Sequence, residues 1–331
     1  MPALDLPRPV AFVLGGGGSL GAAQVGMLQA LEEVDVAADM VIGTSVGSLN
    51  GAVLAENPRA GAHRLTHAWE QISRDDVFPG GLLAQLHTLE RSRTYLFDNA
   101  ALRATAKRLL RTAAIDDLTV PYAAVATDLD RGEVVLLREG ALVDAVLASA
   151  AIPGVFPLVG IGGRRLCDGG VVANVPILQA FDLKPASIVV LDCIGLVPST
   201  MDSLPDILLR AFSISCHYQP MLDAPLAARR VPVVYLPTPT ITGSLLDFDL
   251  TAQLMENAYE SSRAFLGRTG GRPGGTTPVS PGHAGRTVRP RRGRAGRTGG
   301  SPALAVATPR CEGGRSAGGL TGARPSLSVA G

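Results

Sequence analysis

Three short stretches of this 331-residue chain carry residues whose type and spacing could do chemistry. The first is Gly43-Thr44-Ser45-Val46-Gly47, a G-x-S-x-G pattern placed between a short apolar run (40–42) and a helical pattern. A nucleophile on a strand-to-helix turn needs glycines beside it, because the turn is too sharp for larger neighbours. Ser45 would project its hydroxyl from a helix N-terminus, where the dipole favours an alkoxide. Helix capping by Ser45 is the plainer reading and is compatible with catalysis.

The second stretch is Gly15-Gly16-Gly17-Gly18-Ser19-Leu20-Gly21, again between an apolar run (10–14) and a helical pattern. Residues 16–21 also fit G-x-G-x-x-G, so a non-enzymatic nucleotide-binding module is an alternative. That fingerprint expects an acid near the end of the second strand. Here the second strand runs into Gly43-Thr44-Ser45, and the nearest acids, Asp35 and Asp39, precede it. A glycine loop at a helix N-terminus presents bare N–H groups to negative charge, oxyanion or phosphate alike.

A serine nucleophile needs a proton acceptor. His217 permits a Ser…Asp…His order, whereas His63, His67 and His87 fall in a helical stretch and His283 near the C-terminus. The third stretch, Cys167-Asp168-Gly169-Gly170, follows a turn and short strand at 162–166. Its glycines allow close backbone approach, so Asp168 could bond directly to Ser45 and act as base. A capping role for Asp168 in its own turn is the equal alternative on these grounds. With an ordinary pKa of about 3.9 it is a weak base. The glycine loop would then carry much of the rate, one oxyanion donor being worth about 2.7–4 kcal/mol.

The elements around these stretches read as an α/β protein. Strand, loop and helix alternate twice in the first 55 residues, which implies a parallel sheet with helices on its faces. Residues 59–110 read as mostly helical, broken at Pro79-Gly80-Gly81. Beyond that break Leu82, Leu83, Leu86 and Leu89 form an amphipathic stretch. It fits a flap over a lipid site, but a helix packed on the sheet is the preferred reading. Runs at 120–126 and 133–137 flank Asp130-Arg131-Gly132 as a hairpin. Further elements are expected at 141–151 (helix), 187–192 and 231–236 (strands) and 247–266 (helix).

Composition divides the chain. The net charge of +1 conceals a C-terminal stretch, 271–331, with ten arginines, one acid (Glu312) and no aromatic residue, against a net −8 for residues 1–270. That stretch also holds 15 of the 39 glycines. It cannot offset its conformational entropy by burial. The expected division is therefore a catalytic domain at 9–267 and a disordered Gly/Arg/Pro-rich tail at 268–331, read as a nonfunctional extension. Cys167, Cys193, Cys216 and Cys311 lack metal-ligand or disulfide-framework spacing and read as reduced thiols. The uncharged stretches 9–31 and 145–163 contain too many glycines and prolines for spanning helices. With no signal peptide visible at the N-terminus, a cytoplasmic protein is expected.

The three motifs in this order resemble the patatin-like phospholipase family, which carries a G-G-G-x-x-G loop, a G-x-S-x-G serine and an aspartate in D-G-G or D-G-A. The likeness extends over Ala148-Ser149-Ala150-Ala151-Ile152-Pro153-Gly154-Val155-Phe156-Pro157 and from Asp168 through Asn174 to Pro176, and covers roughly residues 9–265. It implies a three-layer α/β/α fold with a mostly parallel sheet. It also implies a Ser–Asp dyad that hydrolyses lipid acyl esters with no metal or cofactor. Ser45 would be the nucleophile, Asp168 the base and the N–H groups of Gly16, Gly17 and Gly18 the oxyanion hole. Gly21, Gly43, Gly47, Gly169 and Gly170 would support the motifs. The implied partner is a lipid or acyl-ester substrate, with reversible contact at a membrane surface and no nucleic acid. Acyl transfer to an alcohol through the same acyl-enzyme is the enzymatic alternative. Leu20 stands where many members of the family have Arg or Lys, which leaves neutral acyl esters and phospholipids equally open.

Overall fold

The computed structural model describes residues 4–195, 204–238 and 247–269. The expected tail lies almost wholly outside these residues. Eight strands form one sheet: β1 (Val10–Leu14), β2 (Met40–Thr44), β3 (Tyr122–Asp128), β4 (Glu133–Leu137), β5 (Val159–Ile161), β6 (Arg164–Asp168), β7 (Ser187–Leu191) and β8 (Val233–Tyr235). Between and after them run α1 (Ala22–Glu32), α2 (Val46–Glu56), α3 (Gly61–Trp69), α4 (Leu82–Ser92), α5 (Ala100–Leu109), α6 (Leu142–Ser149), α7 (Gly170–Ala173), α8 (Leu204–Ala227) and α9 (Thr251–Thr269).

The strand order is β5-β6-β3-β2-β1-β7-β8, with β4 also paired to β3. β3, β2, β1, β7 and β8 are parallel, and β4, β5 and β6 add antiparallel pairings. β1 is buried along its whole length. Val10, Phe12 and Leu14 enter one core, with residues of α1, α2, α3 and α9, while Ala11 and Val13 enter a second core across the sheet. A strand covered on both faces must be continuously apolar, and this one is. The architecture is α/β, with a mostly parallel central sheet between helices.

The register of β3 positions the chemistry. One edge of β3 pairs with β4 at Ala124–Asp128. The opposite edge is shared by two strands. β2 pairs there with Val125 opposite Thr44, and β6 with Ala126 opposite Asp168. The two strands run in opposite directions and end head to head at neighbouring rungs. Ser45, one residue beyond β2, is thereby brought beside Asp168, although 122 residues separate them in the chain.

Most expected elements form. The hairpin at 130–132 joins β3 to β4, with Gly132 at φ +68°. The closing helix starts later than expected, at Thr251, and runs to Thr269. Three elements were not anticipated: β5, α7 and the 24-residue α8. α8 contains Pro220 and Pro225. The preferred reading of α4 is corrected. Leu83, Leu86 and Leu89 are 83%, 52% and 38% exposed rather than packed on the sheet, so the leucine stripe is one that the fold leaves uncovered.

α1 and α9 cross where Gly26 faces the α9 backbone. A Cβ on Gly26 would lie 2.0 Å from the Met255 carbonyl oxygen and 2.7 Å from the Tyr259 nitrogen. Helix propensity alone favours alanine at a helix interior by about 1 kcal/mol. The crossing reverses that sign through overpacking. Gly26→Ala is expected to destabilise the protein by about 1–3 kcal/mol, read as a lower Tm or denaturation midpoint.

Candidate active site

Ser45 occupies the first position before α2 with φ 54° and ψ −124°, a region that costs a non-glycine residue on the order of 1–3 kcal/mol. The neighbouring glycines make that turn possible. A Cβ on Gly43 would sit 2.2 Å from the Gly47 carbonyl oxygen, and one on Gly47 would sit 2.4 Å from the Leu14 carbonyl oxygen. The Ser45 N–H donates to the Ser149 hydroxyl at 2.9 Å, which in turn donates to the Val125 carbonyl at 2.6 Å. Ser149, at the end of α6, ties the turn to β3. It lies in the stretch that carries the family resemblance, but no role was read for it.

Asp168 is fully buried; its carboxylate accepts a hydrogen bond from the Gly170 N–H at 2.7 Å and is also stabilised by the nearby Ser45 hydroxyl. Burial dominates over both effects and pushes the carboxyl up to about 6. Gly169 is forced by closeness, since a Cβ there would lie 2.3 Å from the Val125 carbonyl oxygen. His217 does not join this pair. It sits on α8 with Nδ1 3.3 Å from the Ile194 carbonyl oxygen.

The glycine loop lies directly against the serine: a Cβ on Gly16 would be 3.1 Å from Ser45 Cβ. At the loop's far end, a Cβ on Gly21 would be 2.4 Å from Val46 Cγ2. The three N–H groups expected at the oxyanion hole, those of Gly16, Gly17 and Gly18, differ in their partners. The Gly16 N–H is committed to the Asn174 carbonyl at 3.1 Å. The N–H groups of Gly17 and Gly18 have no acceptor among the described residues. Gly18 has φ +56°, a conformation suited to glycine.

Asn174 does more than accept that hydrogen bond. Its Nδ2 donates to the Gly16 carbonyl at 3.4 Å, where the Cys193 thiol donates as well, also at 3.4 Å. A trans peptide points its N–H opposite to its C=O. Holding the Gly16 carbonyl therefore aims the Gly17 N–H away from Asn174 and Cys193. Asn174 follows the aspartate motif by a few residues, so it couples the Asp168 segment to the loop. Cys193 stays a thiol, because burial raises its pKa well above the ordinary value. Cys167, Cys193 and Cys216 are buried and free, and Cys311 lies outside the described residues.

A family model described as patatin-like phospholipase matches residues 12–181, about half of the chain. The chain belongs to the patatin-like phospholipase family. Patatin-like phospholipase domain-containing protein 6 of Mus musculus is 31% identical over 186 residues, covering 55% of this chain and 13% of that protein. An NTE family protein of Mycobacterium bovis, described as uncharacterized, is 32% identical over 170 residues, covering 51% and 44%. The chain thus matches less than half the length of these relatives. Among solved structures, VipD from Legionella pneumophila aligns at 14% identity and TM-score 0.43, covering 79% of this chain and 67% of that one.

The buried Asp168 links the site to stability. Its folded pKa, about 6, lies above the ordinary value of 3.8, so the folded state holds the proton more tightly than the unfolded state. Stability therefore falls as pH rises from about 4 to about 6 and stays lower above. Asp168→Asn cannot ionise. It is expected to be more stable than wild type at pH 8, by about 3 kcal/mol at most, with the advantage gone at pH 4. Thermal melts at the two pH values check the sign.

Proposed function

We propose that the protein is a serine hydrolase of lipid acyl esters. The observation that carries this reading is the Ser45 hydroxyl, held on a strained turn close enough to the buried Asp168 carboxylate to lower its pKa. Asp168 takes the Ser45 proton as Oγ attacks the ester carbonyl carbon. The N–H groups of Gly17 and Gly18 bind the oxyanion of the tetrahedral intermediate. Collapse breaks the ester C–O bond, and the alcohol leaves with the proton held by Asp168. Water then loses a proton to Asp168, attacks the acyl-enzyme and releases the fatty acid, and Ser45 recovers its proton.

A carboxyl at about 6 is a better match to a neutral-pH base than an ordinary aspartate, while remaining mostly ionised at pH 7. Water exclusion and hydrogen-bond donation thus act in opposite directions on one group, and burial prevails.

The surface around the site supports a lipid substrate. α8 covers the aspartate motif with one side: the Cys216 thiol donates to the Gly170 carbonyl at 3.4 Å. Its other side exposes Ile207, Leu208, Tyr218, Met221, Leu222 and Leu226. Such an apolar surface beside a catalytic turn suits a substrate taken from an aggregate or bilayer. Among the described residues, no helix is long and apolar enough to cross a membrane. Leu20, at the position of the family's frequent cation, packs on the main core, which favours recognition of the acyl ester over recognition of a phosphate head group.

Ser45→Ala is expected to lower kcat/KM for a chromogenic acyl ester by on the order of 10^3-fold or more, and His217→Ala to change it little. Wild-type kcat/KM should rise through an apparent pKa near 6 and fall about tenfold per pH unit below it. Full activity in Ser45→Ala, or loss of activity in a folded His217→Ala, would refute the assignment.

A further inference from the structure

We propose that Gln24 and Asn50, which belong to none of the three motifs, are positioning residues that set the shape of the oxyanion loop through one buried amide relay. The proposal rests on the serine-esterase reading and names what orients its glycine loop.

The relay spans both ends of the loop. Gln24 Nε2, on α1, donates to the Gly15 carbonyl at 2.7 Å and lies 3.1 Å from the Leu191 carbonyl. Asn50 Nδ2, on α2, donates to the Gly21 carbonyl at 3.1 Å and to Gln24 Oε1 at 2.9 Å. Trp69 Nε1, on α3, donates to Asn50 Oδ1 at 3.0 Å. Gln24 and Asn50 are completely buried and Trp69 nearly so.

The direction of the relay follows from its end. An indole N–H can only donate, so Asn50 must turn its oxygen toward Trp69. Its Nδ2 then faces Gln24 Oε1 and the Gly21 carbonyl. Gln24 in turn must direct its Nε2 at the Gly15 carbonyl. Every link is determined by the one before it.

The consequence reaches the proposed oxyanion donors. The peptide joining Gly15 and Gly16 is planar and is held at both poles: its oxygen by Gln24 and its N–H by the Asn174 carbonyl. It is the unit immediately before the one that carries the Gly17 N–H. At the other end, the relay fixes the Gly21 carbonyl, where the loop enters α1. Burying two amides between helices is costly unless they are fully satisfied. Apolar side chains would fill the same space at less cost, so their presence is explained by the carbonyls they hold.

Gln24→Met preserves length and removes the polar links that Gln24 makes, and Trp69→Phe removes the donor that sets the direction. Gln24→Met leaves the buried Gly15 carbonyl without its side-chain donor and is expected to fold with a lowered melting temperature, to keep KM within about twofold, and to lose about 10- to 100-fold in kcat, because a displaced oxyanion donor is felt in the transition state alone. Trp69→Phe is expected to show the same kcat-only pattern with a smaller loss. If either variant is folded and keeps kcat within twofold, or loses activity through KM alone, the proposal is overturned. If Gln24→Met does not fold, Trp69→Phe decides by the same criteria. Ser45→Ala measured alongside separates this from the underlying reading. Turnover that survives Ser45→Ala overturns the nucleophile assignment, whereas Ser45-dependent turnover with an undiminished kcat in Gln24→Met overturns the relay alone.

Discussion

The site depends on three backbone segments approaching more closely than any side chain would allow. β2 and β6 end head to head on one edge of β3, the glycine loop crosses them, and the turns between carry no Cβ where they touch. Gly43, Gly47 and Gly169 would each place a Cβ within 2.4 Å of a carbonyl oxygen. These contacts bring a serine and an aspartate from distant parts of the chain together without an intervening histidine. They also determine the electrostatics. Backbone packed this tightly excludes water, and excluding water is what raises the Asp168 carboxyl.

The same closeness divides the labour among the loop's N–H groups. Gly16 serves the scaffold through the Asn174 carbonyl, while the Gly17 and Gly18 N–H groups have no acceptor among the described residues, as the proposed oxyanion role requires. A flexible run of four glycines would pay heavily in entropy to hold such an arrangement. Here the rigidity comes from outside the run, from Asn174 and Cys193 on the Gly16 carbonyl and from Gln24 and Asn50 on the carbonyls of Gly15 and Gly21. Preorganised dipoles are worth most where they need not reorganise, so residues without a chemical step of their own still bear on the proposed rate.

How much of this was legible in the sequence varies with the kind of signal. β1 and β2 are short apolar runs ended by glycine, and the glycine patterns beside them identify the loop and the serine turn. Asp168 was visible by its two glycines and the family resemblance, whereas the β3 register that sets it beside Ser45 is supplied only by folding. α8 was not visible. Its two prolines argue against a helix, and the face it turns outward is apolar rather than polar. Gln24 and Asn50 were silent for another reason: a buried amide inside a helix has no spacing rule, and its partners are carbonyls, which sequence does not distinguish. The leucine stripe of α4 was legible as amphipathic, but which side the fold would cover was not.

The central claim is that Ser45 is a nucleophile activated by Asp168 and served by an oxyanion loop. A fluorophosphonate probe tests it most directly, because the reagent forms a bond with an activated serine and needs no knowledge of the natural substrate. The account predicts a single adduct on the peptide carrying Ser45. Its rate of formation should rise with pH through about 6, following the Asp168 carboxyl, and should fall sharply in Asp168→Asn. An esterase-active preparation in which Ser45 stays unlabelled, or is labelled equally fast in Asp168→Asn, would contradict it.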